Sequence, residues 1–201
     1  RTDPRVGDSW YSTYLWSEWG LKFIDESRSE NKPFFLYVAD CAPHFPLMAP
    51  QKDIQRYKGK YMEGWDKLRQ QRYQRQLELG IIKPDWPLSQ RPADSSAWDS
   101  LNPQQKERFD HMMAVYAAMI ETIDMSVGTI VNGLKERGIL ENTMIIFLSD
   151  NGGNAESGPQ GRTVGKPLGG PDSTVFIGMN WATLNNTPFY RYKHFTHEGG
   201  I

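Results

Sequence analysis

Cysteine is nearly absent from this sequence, since Cys41 is the single example among 201 residues. One cysteine excludes an internal disulfide and leaves the redox compartment of the protein undetermined. It also excludes the structural zinc sites that are built from spaced cysteine pairs. The fold must therefore be held by a hydrophobic core, and a chain of this length can bury one.

The sequence also has no large excess of positive or negative charge and no long hydrophobic run. The formal net charge is −1 at pH 7, so we expect no nucleic-acid partner and no binding to an anionic membrane surface. No apolar run approaches the roughly 18 residues of a membrane helix, and we therefore expect no membrane span. The chain begins at Arg1 and shows no signal peptide, which does not decide whether the protein is exported.

The clearest local pattern is that of a long helix between residues 102 and 137. Asn102 is a suitable N-cap, Pro103 suits the first helical position, and Gln105 can complete a capping box. Apolar residues then recur at spacings of three and four, and Gly138 is suited to end the helix. The pattern predicts a helix with one apolar face.

Short apolar runs at residues 34–39 and 144–148 lie on either side of this helix in the sequence. Continuous runs of this length are typical of strands that are buried on both faces, as in parallel sheets. The order strand, helix, strand predicts an α/β fold with a mostly parallel sheet flanked by helices. We expect residues 1–201 to form one domain, with a further helix at residues 13–28 and a polar surface excursion at about residues 57–100.

In an α/β sheet, functional sites gather beyond the carboxyl ends of the strands. Asp150 and Asn151 follow the second predicted strand and supply a carboxylate and an amide oxygen, hard ligands of the kind that Ca²⁺ and Mg²⁺ prefer. Gly152 and Gly153 permit a tight turn that would bring both side chains to one point. The same four residues are also typical of an ordinary turn, and two ligands do not complete a metal site.

Basic side chains occur in two loops. His44 follows the first predicted strand and can donate a proton or hydrogen-bond an anionic oxygen, although a histidine at the edge of a core is an equal alternative. Lys193, together with His194 and His197, can hold an anion or form an ordinary solvated basic loop. The residues alone leave both alternatives open.

Four segments, taken together and in this order, resemble the formylglycine-dependent sulfatases of the alkaline-phosphatase superfamily. They are Lys-Pro-Phe-Phe-Leu-Tyr-Val-Ala at residues 32–39, Ala-Pro-His-Phe-Pro-Leu at 42–47, Ile-Ile-Phe-Leu-Ser-Asp-Asn-Gly-Gly at 145–153, and the stretch from Asn-Thr-Pro-Phe to Glu-Gly-Gly-Ile at 186–201. Within that family, the segments resemble those of bacterial arylsulfatases. The resemblance implies the fold of that superfamily, incomplete at both ends, so that residues 1–201 would be a single partial catalytic domain.

By this resemblance, Asp150 and Asn151 are ligands of an active-site Ca²⁺, for which Mg²⁺ is the alternative. His44 and Lys193 contact the sulfate ester, with His44 near the leaving-group oxygen and Lys193 neutralising charge on the sulfate oxygens. Asn151 also faces the sulfate. The implied activity is hydrolysis of aryl or carbohydrate sulfate esters, and by analogy with the family the location is periplasmic or extracellular.

The family's nucleophile, a formylglycine made from the cysteine of a Cys-x-Pro-x-Arg motif, has no counterpart in this sequence. Cys41 opens a similar segment, but Phe45 stands where the arginine is required. We therefore expect the formylglycine in a part of the protein amino-terminal to this chain, and we expect the 201 residues alone to be inactive. Two alternatives stay open: a phosphoesterase of the same superfamily, which commonly uses two zinc ions, and a non-catalytic sulfatase-like binding protein.

Overall fold

The computed structural model describes residues 10–200, which form two compact units. The first unit contains residues 10–43 and 119–147, and the second contains residues 44–118 and 148–200. The elements in chain order are α1 (Ser12–Ser29), α2 (Gln51–Tyr57), α3 (Gly64–Glu78), α4 (Pro103–Glu136), β1 (Arg162–Val164), β2 (Thr174–Phe176) and α5 (Gly178–Asn185). Single turns of 3₁₀ helix lie at Trp98–Ser100 and Leu140–Asn142.

The predicted capping box at the start of α4 is confirmed. The backbone N–H of Gln105 donates to Asn102 Oδ1 at 2.9 Å, and the backbone N–H of Asn102 donates to Gln105 Oε1 at 2.9 Å. These bonds satisfy amide groups that the start of a helix leaves without partners. The helix ends at Glu136, and Gly138 follows with a φ of 66°, a left-handed conformation that glycine adopts readily. Local chemistry thus specifies both ends of α4.

Among residues 10–200, α4 is also the one helix that is long and apolar enough to cross a membrane. This is weak evidence, because the core helix of a soluble protein passes the same test. Several of its apolar side chains are buried against protein, among them Phe109, Met112 and Val115. The absence of a membrane span therefore stays a prediction.

In the first unit, α1 packs closely against the carboxyl-terminal part of α4. A Cβ atom on Gly133 would lie 2.4 Å from Leu21 Cδ2, so the helices approach where glycine has no side chain. Arg137 donates to both carboxylate oxygens of Asp25, at 2.6 Å each. The helix predicted at residues 13–28 is confirmed as α1. Its buried positions are Thr13, Ser17, Gly20 and Ile24.

The two strands predicted at residues 34–39 and 144–148 are wrong for the described chain. Neither segment is a strand, and no backbone hydrogen bond joins either to another segment of residues 10–200. All side chains of residues 144–148 are exposed, with Phe147 at 75%; in residues 34–39, Phe35 and Tyr37 are 93% and 79% exposed, whereas Phe34, Leu36 and Val38 are partly buried. A strand needs a neighbouring strand that completes its backbone hydrogen bonds. An apolar run in the sequence does not specify that neighbour.

The sheet that the described residues do form is a small antiparallel hairpin. Strand β1 pairs with β2, with Arg162 opposite Phe176 and Val164 opposite Thr174. No other strand pair occurs between Trp10 and Gly200. The predicted, mostly parallel sheet is therefore not confirmed.

Aromatic side chains form the core of the second unit. The ring centroid of Trp65 lies 4.8 Å from Trp98, 5.1 Å from Phe109 and 5.2 Å from Trp181, each at nearly a right angle, the edge-to-face arrangement that aromatic pairs prefer. Trp181 Nε1 donates to the Phe109 carbonyl oxygen at 3.1 Å, so its buried polar atom is satisfied. The backbone passes closest to this cluster at Gly64, where a Cβ would lie 2.1 Å from Trp98 Cγ.

The polar helix of the predicted surface excursion, α3, is anchored by Arg69, which is 6% exposed. Its guanidinium donates to the carbonyl oxygen of Thr183 at 3.2 Å, and to the carbonyl and hydroxyl oxygens of Ser89 at 2.5 and 2.6 Å. Longer contacts reach the carbonyl oxygens of Pro188 and Phe189 at 3.4 and 3.3 Å. Burial lowers the pKa of the Arg69 guanidinium, and these hydrogen bonds offset the desolvation of its charge.

Replacing Arg69 by methionine is expected to lower the free energy of unfolding by about 2–4 kcal/mol, because buried carbonyl oxygens lose their donor. Urea unfolding of the purified protein measures this loss as a lower midpoint at an unchanged slope. Arg75→Met is the matched control, since Arg75 lies on the same helix and pairs with Glu78 at the surface. The control is expected to stay within about 0.5 kcal/mol of wild type. Equal effects of the two substitutions would contradict the anchoring role.

Candidate active site

The loop that carries His44 is fixed against the β1–β2 hairpin. The backbone N–H of Leu47 donates to the Val175 carbonyl oxygen at 2.9 Å, and Leu47 itself is buried. The Phe45 ring lies 4.6 Å from the ring of Phe176. These contacts hold the loop in place while the side chain of His44 stays exposed.

The two ring nitrogens of His44 have different partners. Nδ1 lies 2.9 Å from the carbonyl oxygen of Phe45, which can only accept, so Nδ1 carries the proton. Nε2 lies 3.0 Å from Lys193 Nζ, and an ammonium can only donate, so Nε2 is the acceptor. These two contacts fix the orientation of the His44 ring and determine which nitrogen faces Lys193.

The backbone around Lys193 has an unusual conformation. Arg191 and His194 have φ angles of 70° and 87°, in the left-handed region that residues other than glycine seldom adopt. Each such residue costs on the order of 1–3 kcal/mol, and residues of this kind cluster at functional sites. Between them, the backbone N–H of Lys193 donates to the Gly153 carbonyl oxygen at 3.2 Å. This bond joins the Lys193 loop to the loop of residues 150–153.

Asn186 joins the same two loops through its side chain. Its Oδ1 accepts from the backbone N–H of Gly153 at 2.8 Å. Its Nδ2 donates to the carbonyl oxygens of Arg191 at 3.0 Å and of Gly199 at 2.5 Å. Sequence reasoning did not single out Asn186 as a site residue, although it opens the Asn-Thr-Pro-Phe segment. The structure shows that it holds the site together.

The two loops approach most closely at Gly152. A Cβ atom there would lie 1.8 Å from the Gly199 carbonyl oxygen, a distance that no real contact allows. The backbone N–H of Gly152 faces the Gly200 carbonyl oxygen at 3.4 Å. Glycine is therefore required at this position by close packing between the two loops.

Gly152→Ala is accordingly expected to displace one loop and to destabilise the protein by about 1–3 kcal/mol, as overpacking does. The control is Gly128→Ala in α4, where a Cβ meets nothing within 4 Å; it is expected to be neutral or to stabilise the protein by up to about 1 kcal/mol. Thermal unfolding of both variants measures the difference. A Gly152→Ala protein that melts with the wild type would show that the loops are not in contact.

The side chains of Asp150 and Asn151 carry oxygen atoms that can bind a metal ion. Their side chains carry no hydrogen bond or ion pair from any residue between Trp10 and Gly200, and Asp150 is exposed. A free carboxylate beside a free amide fits a hard divalent cation, which takes about six oxygen ligands or more. The described residues contain no group of three or more His, Cys, Asp or Glu side chains placed to hold a metal. Binding of a metal ion by Asp150 and Asn151 therefore stays a prediction.

The structure places all four candidate residues in the second unit. His44 and Lys193 are in direct contact, and the backbone of Lys193 is bonded to the loop that carries Asp150 and Asn151. Cys41 is exposed and lies in the first unit. The arrangement puts an ammonium in contact with an imidazole, in a loop whose backbone is bonded to the loop that follows Asp150 and Asn151.

Comparison with known proteins shows the family of the chain. The family described as Sulfatase matches residues 2–201. The chain belongs to the sulfatase family. The predicted resemblance is thus confirmed, and the family lies in the alkaline-phosphatase superfamily. Membership implies the α/β fold of that superfamily, so the α/β prediction holds, whereas its parallel sheet is not seen in the described residues.

Several sulfatases are similar to this sulfatase chain over most of its length. An uncharacterised sulfatase of Schizosaccharomyces pombe is 36% identical over 99% of the chain and 38% of its own length. An arylsulfatase of Klebsiella aerogenes is 35% identical over 96% of the chain and 44% of its own length. A sulfatase of Formosa agariphila is 44% identical over 89% of the chain and 21% of its own length. The chain spans less than half the length of these relatives.

Proposed function

We propose that this chain is part of a sulfuric-ester hydrolase that cleaves aryl or carbohydrate sulfate esters. The observation that carries the proposal is the contact between Lys193 Nζ and His44 Nε2 at 3.0 Å, in a loop whose backbone is bonded to Gly153, two residues after Asn151. A sulfate ester is anionic, and its hydrolysis develops further charge on the oxygens around sulfur. An ammonium fixed at that point stabilises this charge.

Lys193 and His44 have separate roles in this proposal. Lys193 has three N–H donors, and the contact with His44 uses one of them, which leaves donors for the oxygens of the sulfate. His44 is oriented by its Nδ1–H bond to Phe45, so that Nε2 is the atom that faces the site. To act as the general acid, His44 must first take up a proton at Nε2, which breaks its contact with Lys193; the imidazolium can then donate that proton to the leaving-group oxygen.

Asp150 and Asn151 would hold a divalent cation, for which Ca²⁺ is proposed and Mg²⁺ is the alternative. When bound, the cation neutralises charge on the sulfate oxygens and so favours attack at sulfur. In the proposal, Asn151 would also contribute its amide to the sulfate. The nucleophile, a formylglycine by resemblance to the family, is proposed to lie outside these 201 residues. The isolated chain is therefore expected to be inactive, and sulfate release by it would contradict this part of the proposal.

The test compares two esters of one phenol. The protein as its source produces it is assayed with 4-nitrophenyl sulfate and with 4-nitrophenyl phosphate. We expect a higher kcat/KM for the sulfate ester than for the phosphate ester, because one ammonium and one metal ion suit the lower charge of the sulfate. Preference for the phosphate would favour a phosphoesterase instead. Binding of the sulfate without turnover of either ester would favour a non-catalytic binding protein.

A further inference from the structure

We infer that Glu156 is a positioning residue that holds Lys193 in the orientation needed for sulfate-ester hydrolysis. The inference rests on the proposed function and adds a residue that the candidate site did not include. Glu156 Oε1 lies 3.9 Å from Lys193 Nζ and 3.2 Å from His194 Nε2. Glu156 is therefore close enough to act on the Lys193 ammonium by its charge.

The Lys193–Glu156 pair differs from an ordinary surface ion pair. The side chains of Lys193 and Glu156 are 25% and 21% exposed, whereas pairs that contribute little are fully solvated. Glu156 Oε2 is buried, and no described residue hydrogen-bonds to it. Removing a carboxylate oxygen from water without a hydrogen-bond partner is unfavourable. Fold stability therefore does not explain why a carboxylate lies at this position. Electrostatic attraction of the Lys193 ammonium beside it does.

Packing beneath the pair fixes the distance between the two residues. Ala155 precedes Glu156 and Tyr192 precedes Lys193, and both lie in one buried cluster with Met179 and Ala182. The backbone N–H of Lys193 also bonds to the Gly153 carbonyl oxygen. Shared packing therefore holds the backbones of Glu156 and Lys193 at a fixed distance, which is the condition for a preorganised site.

The separation of 3.9 Å also matters for the chemistry. It is too long for a hydrogen bond, so Glu156 attracts the ammonium without taking up one of its N–H donors. One donor serves His44 Nε2 at 3.0 Å, and the remaining donors stay available for sulfate oxygens. A closer carboxylate would compete with the substrate for Lys193.

Glu156→Gln keeps the size of the side chain and an acceptor for His194 but removes the charge. We expect kcat for 4-nitrophenyl sulfate to fall about 10-fold, with a smaller change in KM, because misplacement of a charge-stabilising group acts mainly on the transition state. The melting temperature is expected to stay unchanged. Glu107→Gln, which removes an exposed carboxylate on α4, is the matched control and is expected to keep wild-type kinetics.

A double-mutant cycle tests whether Glu156 acts through Lys193. In a Lys193→Ala background, Glu156→Gln is expected to have no further effect on kcat. An equal fall in both backgrounds would overturn the inference, as would wild-type kinetics in the Glu156→Gln protein.

A readout without turnover separates this inference from the proposed function. In a crystal structure of the Glu156→Gln protein, Lys193 Nζ is expected to leave His44 Nε2 or to lose defined density. An unmoved Lys193 would overturn the inference even if the enzyme proves to be a sulfatase. A displaced Lys193 in a protein that hydrolyses no sulfate ester would support the positioning role and reject the proposed function.

Discussion

Lys193→Ala is expected to lower kcat for sulfate-ester hydrolysis by on the order of 10²–10³, the loss seen when a single oxyanion-stabilising group is removed. The ammonium is held 3.0 Å from His44 Nε2 by a backbone with left-handed residues on either side. Water that fills the space left by the Lys193 side chain carries no positive charge and does not replace the ammonium. KM is expected to change less than kcat, since the charge that Lys193 stabilises develops in the transition state.

Steady-state kinetics with 4-nitrophenyl sulfate measure this effect in the protein as its source produces it. Lys83→Ala is the control, because Lys83 is exposed and lies outside the site. The control is expected to match wild type. Unchanged kinetics in the Lys193→Ala protein would mean that Lys193 is an ordinary surface lysine and would remove the main support for the proposed function.

Asp150→Ala is expected to abolish the stabilisation of the protein by Ca²⁺. A ligand that binds only the folded state stabilises it by about 2.7 kcal/mol when its concentration is 100 times Kd. For a chain of this size, each kcal/mol of stabilisation raises Tm by roughly 2–4 °C. The wild-type protein is therefore expected to melt several degrees higher with Ca²⁺ than with a chelator, whereas the Asp150→Ala protein melts at one temperature.

Differential scanning calorimetry with Ca²⁺, Mg²⁺ and a chelator measures these shifts. Asp85→Ala replaces an exposed carboxylate outside the site and is expected to keep the full Ca²⁺ shift. If Asp150→Ala kept it as well, the carboxylate of Asp150 would not be a metal ligand. A larger shift with Mg²⁺ than with Ca²⁺ would identify magnesium as the preferred ion.

The parts of the fold that sequence reasoning predicted correctly depend on local interactions. The capping box between Asn102 and Gln105 involves residues three apart, and both predicted hydrogen bonds are present. Gly138 likewise follows the end of α4 in the conformation that its position required. Contacts of this range are encoded in adjacent letters of the sequence.

The two predicted strands failed because strand formation is not local. Residues 34–39 and 144–148 have the apolar composition of buried strands. A strand also needs a neighbouring strand, and composition does not determine which segment that is. Within residues 10–200 neither segment has such a neighbour, and the rings of Phe35, Tyr37 and Phe147 are exposed.

The sequence named the four candidate residues but not their contacts, and their roles stay a prediction. His44 and Lys193 were named through resemblance to a family, and their direct contact spans 149 positions of the sequence. Glu156 and Asn186 were missed, because their roles depend on where the Lys193 loop passes. The hydrogen bonds of Asn186 to Gly153 and Gly199 are visible only in the structure.

The most direct test of the account is a crystal structure of the protein, as its source produces it, grown with sulfate and Ca²⁺. The account predicts a sulfate within hydrogen-bond distance of both Lys193 Nζ and His44 Nε2, and a cation bound by Asp150 and Asn151. A sulfate bound elsewhere, with Asp150 and Asn151 bare at saturating Ca²⁺, would contradict the claim that these four residues form one site.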